Sequence, residues 1–301
     1  MPSTQDLRRK IKSVKATGKL TRAMQMVAAS KMNRATAAAV ASRAYAAEAW
    51  AILSALSART QISHPLFASV EGAPSAPEQS PLNHSSNGTV GRQALIVITS
   101  NRGLAGSLNT QVIRVVTQNI SESIDLVTIG RKGAQFFRRF HPDRLVADFP
   151  ASDATPHVSE VTPVATLVVD GFRRGTYAGV SVAYTHFVST LAQEPRLLQL
   201  LPIVTDKSYE WSKRRSEVTI EPDPVIVLDM LATKIVPLRL YQCLLESSAS
   251  EHSARMLAMK NATDNARDIV DDLTLVYQGV RQANITRQII EVSAGANALA
   301  G

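Results

Sequence analysis

A chain of 301 residues, 45% hydrophobic and 19% charged, is long enough and apolar enough to bury a core, which excludes a disordered or low-complexity protein. Its formal net charge of +8 makes polyanions candidate partners, whether nucleic acid, an anionic membrane surface or an acidic protein segment, and charge alone does not choose among them. Cys243 is the one cysteine, so intramolecular disulfides and cysteine metal clusters are excluded, and it reads as a small buried residue in a reducing compartment.

Residues 1–58 carry 16 alanines and one glycine, Gly18, and proline is absent from 3 to 64. Alanine is the strongest helix former, so this stretch predicts a helix of about 55 residues, about 80 Å long at 1.5 Å per residue. Apolar residues recur at steps of three and four: Leu7, Ile11, Val14, then Leu20, Met24, Val27, then Met32, Ala35, Ala39, and later Ala46, Ala49, Leu53, Leu56. That is coiled-coil spacing, with expected slips of register near Gly18 and Ala28. No acid stands between Asp6 and Glu48, while Arg8, Arg9, Lys10, Lys12, Lys15, Lys19, Arg22, Lys31 and Arg34 crowd the start.

Residues 71–92, EGAPSAPEQSPLNHSSNGTVGR, read as a disordered loop. Beyond it strands and helices alternate. ALIVITS (94–100) is a buried strand, 107–121 a helix, DLVTIG (125–130) a strand, GAQFFRRF (133–140) a short helix, RLVADF a strand, 161–174 a helix and VSVAYTHF a strand. That alternation predicts a mostly parallel α/β sheet. From 238 to 301 proline is again absent. The second apolar stripe runs Leu228, Leu231, Ile235, Leu238, then Leu245, Ala249, His252, Met256, Met259, with Ala266, Val270, Leu273, Tyr277 and Val280 following. Pro237 interrupts it, and a kink or break is expected there. Two long stripes returning to one middle domain predict an antiparallel pair. The expected division is 1–62 helix, 63–93 linker, 94–215 central Rossmann-like α/β domain and 216–301 helix. The fold class is α/β with long terminal helices forming an antiparallel two-helix coiled coil.

Little of this is catalytic. SNRGLAGSLN (100–109) sits where a phosphate-binding turn would, but Gly103 and Gly106 match no phosphate-loop spacing and no lysine follows. A tight strand-to-helix turn capped by Ser100 or Asn101 is the simpler reading. The six histidines make no pair at metal-ligand spacing, and Asp264, Asp268, Asp271 and Asp272 suit a solvated helix face. No catalytic, cofactor or metal residue is therefore assigned. No apolar run reaches the roughly 18 residues of a spanning helix and MPSTQDLRRK is no signal peptide, so direct membrane insertion is not expected. The basic block could be a nucleic-acid arm or a membrane-surface helix. No aromatic residue precedes Tyr45, however, and the stripe continues far past the block, which favours a coiled-coil face meeting an acidic partner.

Three blocks resemble the γ subunit of the F-type ATP synthases: IKSVKATGKLTRAMQMVAASKM, TSNRGLAGSLNT, and SASEHSARMLAMKNATDNA with LTLVYQGVRQANITRQIIEVSAGANAL. The resemblance spans nearly the whole chain. It implies a non-catalytic rotor whose terminal helices form an axle through a ring of alpha and beta subunits, and whose central domain, with epsilon, sits on the rotor c-ring. It implies proton-coupled ATP synthesis, no cofactor of its own, no nucleic-acid partner, and a peripheral place on the cytoplasmic face of a bacterial inner membrane, since the chain begins at the family's start. Carried over by motif, Lys12, Lys19, Arg22 and Met24 on the first helix and Arg255, Arg281, Gln282 and Thr286 on the last are expected to meet the alpha/beta ring. Departures from the family pattern are Gln288 for a glutamate, Ala266 and Arg267 for glycines, RGLAGSLN for RGLCGGLN, and Pro237. The cysteine-bearing insert of chloroplast relatives is absent. Two other classes stay open on sequence alone: a coiled-coil adaptor outside a synthase, and a basic nucleic-acid-binding protein.

Overall fold

A computed structural model describes residues 3–60, 66–67, 91–203, 221 and 223–300. The linker expected at 71–92 lies outside the described residues except for Gly91 and Arg92, as does most of 204–222. In chain order the elements are α1 (Thr4–Thr60), β1 (Arg92–Ile98), α2 (Leu108–Asn119), β2 (Ile124–Ile129), α3 (Arg131–Phe140), a 3₁₀ turn (Pro142–Arg144), β3 (Leu145–Phe149), α4 (Val158–Arg173), β4 (Tyr177–Phe187), β5 (Gln193–Leu201) and α5 (Pro224–Ala300). They form two compact units, Ala29–Ala254, and Met1–Ala28 with Arg255–Gly301.

The larger unit is built on a five-stranded sheet of order β3-β2-β1-β4-β5. All neighbours are parallel except β5, which is antiparallel to β4. Buried on both sides, β1 sends Ala94, Ile96 and Ile98 into one core with α4 and α5, and Leu95 and Val97 into another with Val112, Val116 and Phe137 of α2 and α3. The sequence reading missed β5. Its segment QEPRLLQLL holds Pro195 and two charges, which reads as loop, yet an edge strand tolerates a proline whose missing amide breaks no inner ladder.

Of the kink or break expected at Pro237, the break does not occur, and α5 runs through it unbroken. Proline removes one helical hydrogen bond and crowds the preceding turn, a cost of roughly 3 kcal/mol or more. Ile235, Val236 and Leu240 are buried around it, and each contributes about 1.5–3 kcal/mol, enough to offset that loss. Cys243 is buried as expected; desolvation pushes its thiol up to about 12, with Arg239 opposing and Glu246 adding to the shift. It therefore stays a neutral thiol.

The turn after β1 also differs from expectation. Ser107 is the N-cap of α2, without a side-chain cap bond, so neither Ser100 nor Asn101 caps that helix. They serve α3 instead. The amide of Arg131 donates to Asn101 Oδ1 (3.2 Å), that of Lys132 to the Ser100 carbonyl (3.0 Å) and that of Gly133 to Thr99 Oγ1 (2.9 Å). Three consecutive amides of the first turn, which have no intrahelical acceptor, are thus satisfied by three consecutive residues of the β1 turn. Gly130, at φ +101°, makes this approach possible, since a Cβ there would lie 2.0 Å from the Thr99 carbonyl oxygen.

Within the smaller unit α1 and α5 pair antiparallel: Arg8 lies over the Tyr277 ring, Gly18 faces Ala266, and Thr21 Oγ1 is 2.7 Å from Thr263 Oγ1. On α5 the seam follows Met259, Thr263, Ala266, Val270, Leu273, Tyr277 and Val280, near the expected stripe. On α1 it does not slip. Positions 4, 7, 11, 14, 18, 21, 25 and 28 are all covered in unbroken steps of three and four, with Met24 and Ala29 half-buried beside them, and the same alternation continues in the larger unit through 32, 35, 39, 42, 46, 49 and 53. Gly18, Thr21 and Gln25 occupy seam positions that an apolar-only reading passes over. Leu20 and Val27, expected in the seam, are 61% and 58% exposed.

Candidate functional site

The residues expected to meet partners lie on the outside of the helix pair. Among the described residues no group of three or more His, Cys, Asp or Glu could hold a metal ion. The β1 turn offers no first-turn amide of α3 to a phosphate, because all three already have acceptors.

The pair's outer face has three parts. Lys12, Lys15, Lys19 and Arg22 follow at steps of three and four, each one residue after a seam position, and all are exposed. They form one cationic stripe along the seam's edge, and among the described residues none of the four is in an ion pair. Beside it Leu20 and Val27 present an apolar face to solvent, with half-buried Met24 between them at helical spacing. The sequence reading placed Leu20 and Val27 inside the seam and so missed them as surface; the signal was the Gly18–Thr21–Gln25–Ala28 alternative at the same period.

The third part is the end of α5. Contacts of Arg8 with Tyr277 and Thr21 with Thr263 place Thr4 near Val280, so about the last 20 residues of α5 run past the start of α1, a length of about 30 Å. Every residue from 281 to 296 is exposed. Arg281, Gln282 and Thr286 lie here, with Gln282 and Thr286 one turn apart on one face, and Ile285, Ile289, Ile290 and Val292 bare alongside. A single helix with such a stripe has nothing of its own to bury it against. Arg255 stands apart, half-buried near the other end of the paired segment. The structure therefore brings Lys12, Lys19, Arg22 and Met24 onto one stretch of α1 and Arg281, Gln282 and Thr286 onto one tip, about 30 Å from Met24 along the pair.

A family model described as ATP synthase matches residues 3–299. The chain is 40% identical over 306 residues to the ATP synthase gamma chain of Roseiflexus sp. (strain RS-1), covering 100% of this chain and 99% of that one. The chain belongs to the ATP synthase gamma-chain family. It is similar in fold to a chain in the rotor of the Euglena gracilis mitochondrial ATP synthase in rotational state 1, with a TM-score of 0.63, 15% identity, and coverage of 94% of this chain and 98% of that one. A chain from the OSCP/F1/c-ring structure of the same synthase in rotational state 3 gives a TM-score of 0.65 at 14% identity, covering 98% of this chain and 94% of that one.

As a gamma chain it is a central-stalk rotor subunit and is not itself catalytic. Full-length identity leaves the adaptor and nucleic-acid readings without support. Partner surfaces on a rotor need no convergent polar groups, which accounts for a site made of helix faces.

Proposed function

We propose that the chain couples proton flow to ATP synthesis by turning inside a ring of alpha and beta subunits, with its terminal helices (1–62 and 216–301) as the axle. A linker (63–93) joins the first helix to the base domain (94–215), which meets epsilon and the rotor c-ring at the cytoplasmic face of a bacterial inner membrane. No described helix is long and apolar enough to cross a membrane. The observation that carries this reading is the bare tip of α5, where Ile285, Ile289 and Ile290 are exposed beside Arg281 and Gln282. An exposed apolar stripe of this kind marks a surface that a partner covers, and a sleeve that must also let it turn needs few and reversible polar contacts. Arginine's fixed fork of donors and glutamine's donor and acceptor can hold a carboxylate or carbonyl in one rotational position and release it in another.

The test is the double substitution Arg281→Ala with Gln282→Ala. Neither side chain is buried, so the free subunit should stay folded, while ATP-driven rotation or the yield of assembled heads falls. Each contact contributes on the order of 1.5–3 kcal/mol when a charged group is hydrogen-bonded, enough to alter a dwell without dissolving the complex. Normal assembly with normal turnover in the double variant would remove the tip from the coupling mechanism.

The cationic stripe gives a second expectation. Reversing Lys12, Lys19 and Arg22 to glutamate should weaken coupling more at low ionic strength than at high, because salt already screens an exposed attraction to acidic loops. A defect independent of salt would point to damaged packing instead.

A further inference from the structure

In the larger unit α5 meets β4 and the turn that follows it partly through buried polar groups. Glu246, Ser250 and Ser253 follow at steps of four and three on one helix face and are 4%, 0% and 0% exposed. Glu246 Oε2 lies 2.6 Å from His186 Nδ1, Ser250 Oγ donates to the Thr185 carbonyl at 3.3 Å, and Ser253 Oγ donates to the Thr190 carbonyl at 2.7 Å. The other oxygen of Glu246 accepts from Arg43 Nη2 of α1 at 3.2 Å and from Gln242 Nε2 at 3.4 Å. One carboxylate thereby joins α1, α5 and the sheet.

A buried carboxylate and two buried hydroxyls are not the cheapest way to fasten a helix to a sheet, because each must recover its lost hydration through its bonds. Apolar residues would resist separation equally well. Their contact energy, however, is non-directional and changes little when one surface slides or turns against another. A hydrogen bond weakens steeply with misalignment, so a row of three fixes both the axial position of a helix and its rotation about its own axis. Leu240, Cys243 and Leu244, in the neighbouring turns of α5, already supply apolar adhesion to the same core, which leaves register as what the polar row adds.

We propose that Glu246, Ser250 and Ser253 are positioning residues that key α5 to the sheet, and through Arg43 key α1 as well, so that torque applied to the central domain enters the two helices without slippage. The proposal rests on the rotor reading above. It is tested in the assembled head, with a bead fixed to the central domain, by comparing the wild type with Glu246→Leu, which roughly keeps the side chain's volume while removing its hydrogen bonds, and with Ser250→Ala/Ser253→Ala. ATP hydrolysis should stay near the wild-type rate while the bead's angular variance during dwells widens. If the three contacts share the joint's stiffness equally, losing two of them widens the variance by up to about threefold, since directional bonds supply the resistance there. An unchanged angular variance in both variants would overturn the proposal. So would a lowered melting temperature with an unchanged variance, which marks a role in stability only. A wild-type chain that never rotates would overturn the rotor reading instead.

Discussion

Removing residues 1–20 should turn the segment of α5 between Thr263 and Val280 from protected to readily cleaved by protease. That deletion takes Leu7, Ile11, Val14 and Gly18 out of the seam and uncovers Ala266, Val270, Leu273 and Tyr277. Fully burying an apolar side chain contributes about 1.5–3 kcal/mol, and these are mostly half-buried, so a loss of about 3 kcal/mol is a modest estimate. At 1.4 kcal/mol per factor of ten, the open population, and with it the cleavage rate, should rise about 100-fold. The cuts to count lie between 263 and 280, because residues 281–296 are bare in the intact chain as well. Equal protection of that segment in the truncated and full-length proteins would contradict the antiparallel pair.

Replacing Gly130 with valine should cost the larger unit more than about 4 kcal/mol, in the range where a domain loses its fold. Two effects add. At φ +101° and ψ 142° the backbone lies in a region that side-chain-bearing residues avoid, which costs about 1–3 kcal/mol. A Cβ would also stand 2.0 Å from the Thr99 carbonyl oxygen, a backbone atom that cannot move without releasing the Thr99–Ser100–Asn101 cap of α3. Gly106→Ala is the control. Its φ is +59° but the space around it is open, so about 1 kcal/mol is expected. Denaturant unfolding of both variants checks the pair of values, and similar losses at the two positions would contradict the capping account.

Much of the fold was legible in the sequence because its signals are long. Two proline-poor, alanine-rich ends at coiled-coil spacing and an alternating middle are patterns summed over dozens of residues. What was misread turned on single residues whose environment overrides their type. Pro237 reads as a helix breaker, yet buried Ile235, Val236 and Leu240 hold the helix through it. Gly18 reads as a slip of register, yet a glycine lets two axes approach, and beside it Thr21 and Thr263 bond across the seam. Counting only apolar residues there produced a false slip and hid Leu20 and Val27 as outward surface. β5 was hidden by Pro195, because an edge strand obeys looser rules than an inner one. The Glu246 hub has no local signature at all, since Arg43, His186 and Glu246 meet only in the folded unit.

The most direct measurement of the central claim is to coexpress the chain with the alpha and beta subunits of its own synthase, purify the head through beta, fix it to a surface and follow a bead attached to the central domain while ATP is supplied. The chain should copurify, and the bead should turn in one direction, stopping when ATP is withdrawn and resuming when it returns. A head that hydrolyses ATP with the chain bound while the bead stays still, or a chain that fails to copurify at all, would contradict its role as the rotor.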